Sequence, residues 1–457
     1  MAKVQEKLYK KMPGFLKDCL VTMYDYLQYR KRHGGRYRYW YDEAVRQKKL
    51  SLNELKQLQK KKLSDFIAFA KSNSPYYKKI LPDIHPQGDI FSYYETISIQ
   101  SKEDVRSNIN DIYTVDAGDA IISKTGGTTG KSLEVRYTHD DMQQRQATLD
   151  LFRSEHGYKL GKKVAWFSGK AILTDKDVQK KRYWRYDWLY KIRYYSTFHI
   201  SPRSVKQYID DLNRFQPEFL VGFPSSMYEI AKWGIDNNYH LHYNAKTIFP
   251  TAETIVEHEK AALKQFFGAE VRNQYASSEG APFILECPKG NLHIDLLSGY
   301  IEVLDNNGKP AQQGDLVFTS FQTHGTPLIR YAIKDKLTLS DRTCDCGNHN
   351  PLAESIEGRI NDFIYSEERG KINLGNVSNC VKYVTGVVKF QIIQDRKDAI
   401  EVYIVKDESY GDKDEEMFRH ELVERLGHHV DISFFYKDDI ARESSGKYRI
   451  IKNSLQL

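Results

Sequence analysis

The spacing of apolar positions changes period several times along the chain. Phe15, Leu16, Leu20, Val21, Met23, Tyr24 and Leu27 recur near helical spacing among basic residues. Ser51 with Glu54 is a capping-box pattern that opens a second helix through Leu55, Leu58, Leu63, Phe66 and Phe69, ended by Ser74-Pro75-Tyr76-Tyr77. Residues 1–110 therefore read as a helical, basic region. From there to about 360, strand-like and helix-like segments alternate. Residues 164–168, 219–222, 247–251 and 269–274 predict strands; 204–215, 225–237 and 256–267 predict the helices between them. Such alternation predicts an α/β domain on a largely parallel sheet, with ligands bound in loops beyond the carboxyl ends of the strands. Gly222-Phe223-Pro224-Ser225-Ser226, Thr251-Ala252-Glu253 and Tyr275-Ala276-Ser277-Ser278-Glu279-Gly280 each stand at such an end.

One loop interrupts this pattern. Ala120-Ile121-Ile122 and the alternating Leu133, Val135, Tyr137 enclose Ser123 to Ser132, which is Ser, Thr or Gly except at Lys124 and Lys131. Glycines let backbone N–H groups turn toward an anion, while hydroxyls and Lys131 add donors and charge. The stretch predicts strand, phosphate-cradling loop, strand. A Walker A motif ends in the same Gly130-Lys131-Ser132, but it needs Gly where Thr125 stands and a helix after the loop. A kinase or P-loop ATPase is thus one alternative, and a Ser/Gly-rich hairpin without a ligand is another.

At 457 residues the chain should bury a large core and split into two or three domains. Its 68 Lys+Arg against 61 Asp+Glu leave a mild excess of +7. Much of it crowds the start, at Lys3, Lys7, Lys10, Lys11, Lys17, Arg30, Lys31, Arg32, Arg36 and Arg38. Elsewhere the charges are mixed, which argues against nucleic acid as a partner. The basic start suits either peripheral contact with an anionic membrane or packing on the domain behind it. Five cysteines in so long a chain make no disulfide scaffold, and no apolar run approaches the roughly 18 residues of a membrane span. A cytoplasmic protein is expected, peripheral at most to the inner membrane face, and a homodimer is an open expectation.

The second half adds Gly314-Asp315, Thr319-Ser320, Pro327-Leu328-Ile329-Arg330-Tyr331 with Asp335, Gly358-Arg359-Ile360-Asn361-Asp362, and Ser444-Ser445-Gly446-Lys447. With Thr125-Gly126-Gly127-Thr128-Thr129-Gly130-Lys131, this series resembles the adenylate-forming (acyl/aryl-CoA synthetase) superfamily over about residues 60–457. The branch it resembles is that of phenylacetate-CoA ligases and capsule-biosynthesis CapK-like proteins. The resemblance implies an ATP- and acid-binding α/β domain over 111–362 and a small, mobile α+β lid over 363–457, hinged at Asp362. It implies adenylation of a carboxylic acid with release of pyrophosphate, then transfer to CoA or another acceptor. By the same matching, Ser123 and Thr125–Lys131 hold the ATP phosphates, and Ala252, Glu253, Tyr275, Ser277 and Ser278 complete the ATP site. Glu279 holds Mg²⁺, Asp335 accepts from the ribose hydroxyls with Arg359 beside it, and Lys447 reaches the α-phosphate. Phe223, Pro224, Ser225 and Ala276 line the acid site. The chain departs from the pattern where relatives carry Arg-Thr-Gly, having Ala332-Ile333-Lys334, and again where Phe363-Ile364-Tyr365 leads to Arg369-Gly370-Lys371-Ile372-Asn373. The second departure lies on the transfer face, so an amine or hydroxyl acceptor, or a sugar acid activated without CoA, stays open beside CoA.

Cys287, His293, Cys344 and Cys346 form a second constellation. Three thiolates and an imidazole suit tetrahedral Zn²⁺, and a closed set of four implies a structural site. A subset of phenylacetate-CoA-ligase-like proteins carries a similar zinc knuckle. His349 is an extra candidate ligand. Cys19 and Cys380 have no partner by spacing and are expected to be buried.

Overall fold

The computed structural model describes Tyr9 and residues 12–82, 89–124, 133–168, 172–200, 203–357, 363–368, 370–373, 377, 379–381, 384–441 and 449–455. These fall into two compact units, one drawn from 1–23, 160–271 and 359–457, the other from 24–159 and 272–358.

In the first unit a six-stranded sheet runs in the order Trp184–Asp187, Ile192–Ser196, Val164–Ser168, Phe219–Gly222, Thr247–Pro250 and Glu270–Val271. Only its first pair is antiparallel. Helices Val205–Phe215, Pro224–Asp236 and Glu257–Phe267 make the crossovers. Val205, Tyr208, Ile209, Leu212 and Phe215 are all buried, spaced so that one helical stripe meets the sheet. Each large apolar side chain so buried stabilises by about 1.5–3 kcal/mol. The C-terminal part of this unit is α+β. A sheet ordered Asp431–Tyr436, Ala399–Lys406, Val387–Arg396, Ile451–Asn453 packs its core with helix Asp412–Leu426. Lys389 ties the two parts of the unit together. Its buried ammonium donates to Asp439 Oδ1 at 2.9 Å and to the Ile200 carbonyl at 3.2 Å, and pairs with Glu229 Oε2 at 3.4 Å.

The second unit is built on a seven-stranded antiparallel sheet: Gly299–Leu304, Gln313–Ser320, Tyr331–Ser340, Leu352–Glu357, Leu292–Ile294, Ile284–Glu286, Gln274–Tyr275. Helix Leu52–Asn73 opens on the expected capping box, Glu54 N donating to Ser51 Oγ and Ser51 N to Glu54 Oε2. Leu63, Phe66 and Ile67 of this helix join the core with Leu316, Phe318 and Leu337 of the sheet.

Two sequence expectations need correcting. The parallel sheet ends at Val271, because connections as short as 287–291 between paired strands permit only antiparallel neighbours. The single strand expected over 269–274 is two: Glu270–Val271 closes the parallel sheet, and Gln274–Tyr275 pairs with Ile284–Leu285. Among the described residues no helix is long and apolar enough to cross a membrane.

Candidate functional site

The glycine-rich loop springs from a hairpin. Ile121–Lys124 pairs antiparallel with Glu134–Tyr137, Ser123 facing Val135 and Lys124 facing Glu134. Arg136 braces the stem: its guanidinium lies 3.6 Å from the centre of the Tyr113 ring, and its backbone exchanges hydrogen bonds with Thr326 Oγ1. The chain after the loop is therefore a strand, which removes the helix that a Walker loop must open. Residues 125–131 themselves lie outside the described residues, as do Arg359, Asp362 and Lys447.

In the same unit, the strand Gln274–Tyr275 leads into a tight turn that ends in Glu279. Gly280 adopts φ +80° there, and an added Cβ would stand 2.4 Å from Thr323 Cγ2, so the position demands glycine. Tyr137 Oη donates to the Ser278 carbonyl at 2.9 Å, and the buried Arg145 donates to the Gly280 carbonyl at 3.1 Å. Thus pinned, Glu279 is 2% exposed, with Lys102 Nζ 3.8 Å from its Oε1. It is no exposed loop carboxylate. Asp335 is no turn residue either: it sits buried within strand Tyr331–Ser340, where Tyr275 Oη donates to its Oδ2 at 2.7 Å. Tyr275, Glu279 and Asp335 are brought onto one sheet and its adjoining turn; Ala276 and Ser278 are exposed in that turn, and Ser277 accepts from Ala281 N at 3.0 Å. Sequence reading missed Lys102, which lies on helix Lys102–Ser107, far from any motif.

The first unit holds the other predicted residues at the carboxyl ends of two neighbouring parallel strands. Gly222 takes φ +141°, and a Cβ there would lie 1.9 Å from the Phe167 carbonyl oxygen. That contact lets Phe223 N donate to Phe167 O at 3.0 Å and Thr251 N to Gly222 O at 2.9 Å. Ala252 is held at φ +64°, which turns Glu253 back so that its Oε2 accepts from Ser225 N at 3.2 Å. A carboxylate at the amino end of helix Pro224–Asp236 also suits the helix dipole. Phe223 and Pro224 are buried. Ser225 and Ser226 are buried with hydroxyls that have no hydrogen-bond partner among the described residues. Behind them, burial first and Glu253 second push the Glu259 carboxyl up to about 8.

Cys287, His293, Cys344 and Cys346 converge in the second unit, their donor atoms all within 4.8 Å of one another. Cys287 leaves strand Ile284–Glu286 by a turn through Gly290, and His293 lies on the returning strand. Cys287 Sγ is 3.8 Å from Cys344 Sγ, and Cys346 Sγ is 3.3 Å from His293 Nε2. Metal–sulfur bonds of about 2.3 Å in a tetrahedron put sulfurs about 3.8 Å apart, so the donor set fits a tetrahedral metal ion. His293 Nδ1 donates to the Asn350 carbonyl at 3.0 Å, which leaves Nε2 as the ligand atom, and burial lowers the imidazole toward its neutral form. Asn291 Nδ2 donates to Cys344 Sγ at 3.2 Å. Without a cation, burial and the neighbouring thiols push Cys346 up to about 12. Asn291 and Asn350 were not singled out from sequence. His349 is exposed and outside the set. Cys380 is buried as expected, whereas Cys19 is exposed, because it lies on the outward side of its helix.

Comparison with known proteins gives these arrangements a family. The model of the CapK C-terminal domain matches residues 364–454. Protein CapK of Staphylococcus aureus is 32% identical over 456 residues, 98% of this chain and 99% of the relative. A phenylacetate-coenzyme A ligase of Thermus thermophilus is 23% identical over 347 residues, covering 69% of this chain and 72% of that one. Among solved structures, 2-hydroxyisobutyryl-CoA ligase in the postadenylation state, in complex with R3-HIB-AMP, superposes with a TM-score of 0.68 at 17% identity, over 90% of this chain and 92% of the other. The same ligase with 2-HIB-AMP and CoA in the thioesterification state gives 0.56 over 90% and 91%. The chain belongs to the CapK family, and its fold is that of the adenylate-forming CoA ligases.

Proposed function

We infer that the protein activates a carboxylic acid with ATP, forming an acyl-adenylate and pyrophosphate, and passes the acyl group to CoA or another nucleophile. The observation that carries this is the Tyr275–Asp335 hydrogen bond at 2.7 Å, in a CapK-family chain that also buries Glu279. A carboxylate oxygen attacks the α-phosphorus and the bond to pyrophosphate breaks. Two anions meet, so positioning and cationic stabilisation supply most of the rate. Asp335, oriented by Tyr275, accepts from the ribose hydroxyls, with Arg359 nearby in the same role. Ser123 and the loop Thr125–Lys131 hold the phosphates, and Ala252, Glu253, Ser277 and Ser278 complete the ATP site. Glu279 is the carboxylate for Mg²⁺, which when bound neutralises phosphate charge. Lys447 serves the α-phosphate, on a lid over 363–457 that turns about Asp362. The match of the CapK C-terminal model to 364–454 supports reading that lid as a separate domain within the first unit. The Cys287, His293, Cys344, Cys346 set holds one structural Zn²⁺.

For the acid we favour a polar, hydroxylated one such as a sugar acid, used in the cytoplasm in capsule or surface-polysaccharide assembly. Phe223, Pro224, Ser225 and Ala276 are the residues assigned to it, and the buried hydroxyls of Ser225 and Ser226, without a partner among the described residues, call for hydrogen bonds that an aryl ring does not offer. A screen of pyrophosphate release over carboxylic acids, sugar acids included, with and without CoA, tests the reading. Acid-dependent pyrophosphate is the expected product. Release of ADP or phosphate alone would overturn it in favour of a kinase or ATPase.

A further inference from the structure

Helix Gly14–His33 is packed with its polarity reversed. At about 100° per residue, Lys17, Asp18 and Asp25 fall on one side of it, and all three are buried. Lys17 Nζ donates to Thr174 Oγ1 at 2.9 Å and pairs with Asp177; Asp18 pairs with Arg182 and with the fully buried Arg185. The opposite side carries Phe15, Leu16, Met23, Tyr26 and Leu27, and these are exposed, Phe15 at 62% and Met23 at 56%. Trp188, 61% exposed, extends this surface: its backbone N–H donates to Thr22 Oγ1 at 3.0 Å, on the flank of the helix next to Phe15. An ordinary surface helix does the reverse, turning apolar residues in and charges out. Here buried ion pairs anchor the helix, and the apolar half-circle is left to something else.

The charges decide what that is. Both acids of the helix, Asp18 and Asp25, face inward. Its last turn is Arg30-Lys31-Arg32-His33; Arg30 and Lys31 lie off the buried side, and neither makes an ion pair among the described residues. The sequence ahead of the helix adds Lys3, Lys7, Lys10 and Lys11. A second copy placed across a two-fold axis would set these cations against themselves. An anionic bilayer complements them, and aromatic plus aliphatic side chains beside Arg and Lys are what an interfacial helix presents to headgroups. We propose that the outward face of Gly14–His33, with Trp188, docks this protein on an anionic lipid surface, the helix lying flat along about 30 Å of it. The proposal does not depend on the adenylation reading.

Flotation of the full chain with vesicles tests it, using phosphatidylcholine alone and phosphatidylcholine with phosphatidylglycerol. Binding is expected to the anionic vesicles only and should weaken with salt. The double variant Phe15→Ser, Met23→Ser should bind at least tenfold less, as should Arg30→Glu, Lys31→Glu, since each basic residue near such a surface is worth about fivefold. Both variants should keep the wild-type thermal transition, because the altered side chains are exposed. Failure of the wild type to float, or undiminished binding by the variants, overturns the proposal. So does a dimer in light scattering that Phe15→Ser, Met23→Ser converts to monomer without any vesicle binding, which would assign the face to a second copy.

Discussion

Replacing Tyr275 by Phe deletes one hydroxyl and nothing else. That hydroxyl donates at 2.7 Å to a carboxylate that is 9% exposed, on a phenol that is itself half-buried. Hydrogen bonds to charged groups are worth about 1.5–3 kcal/mol. If the bond holds Asp335 in position for the ribose, its loss should raise KM for ATP by about 10- to 100-fold, with kcat changed only a few-fold. Folding stability should fall by about 1–2 kcal/mol, since Asp335 keeps other partners. Asp335→Asn, which turns one acceptor oxygen into a donor, should exceed both effects. Initial rates of pyrophosphate release against ATP concentration, at saturating acid, give KM and kcat separately; thermal unfolding with and without ATP gives the structural cost. An unchanged KM beside lowered stability would refute the ribose assignment and leave Tyr275–Asp335 a strut of the sheet.

The metal claim predicts about one equivalent of zinc in purified protein, and Cys344→Ser should lose metal and thermal stability together; a metal-free, equally stable wild type would end it. Lys389→Met should destabilise by about 3 kcal/mol, because it removes a buried cation that pairs with the buried Glu229, and denaturant unfolding should show much of that cost recovered in Lys389→Met with Glu229→Gln. Glu259 predicts a pH dependence. Its folded-state value near 8 lies above the ordinary 4.5, so the native state holds the extra proton and stability is lost as pH rises from about 4.5 to about 8, by a few kcal/mol in all. Glu259→Gln should flatten unfolding free energy over that window; an unchanged slope would put the effect elsewhere.

What the sequence revealed follows from the range of the interactions involved. The strands at 164–168, 219–222 and 247–251 and the helices between 204 and 267 could be read because each buries a stripe or face that repeats locally, whereas the short strands Trp184–Asp187 and Ile192–Ser196 were not read. The Ser51–Glu54 cap joins residues three apart, and the strands flanking the glycine loop alternate. The Cys287, His293, Cys344, Cys346 cluster was legible because the spacing within each of its halves, Cys287 to His293 and Cys344 to Cys346, is itself a short-range signal. The break between Val271 and Gln274 was not, since a strand of two residues carries no period. Lys102 beneath Glu279 and Asn350 behind His293 are contacts between distant segments. The helix at Gly14–His33 was readable as amphipathic but not as inverted, because the ion pairs that turn it come from Thr174–Arg185, more than a hundred residues away.

Adenylation itself is tested most directly by the fate of the acid's oxygen. With a carboxylic acid that supports pyrophosphate release, labelled in its carboxylate with heavy oxygen, the carboxylate must become the bridge to the α-phosphorus. Transfer of the acyl group then leaves that oxygen on AMP. The account predicts AMP carrying one heavy oxygen in the mass spectrum after turnover with acceptor. Unlabelled AMP, or ADP in its place, would contradict it.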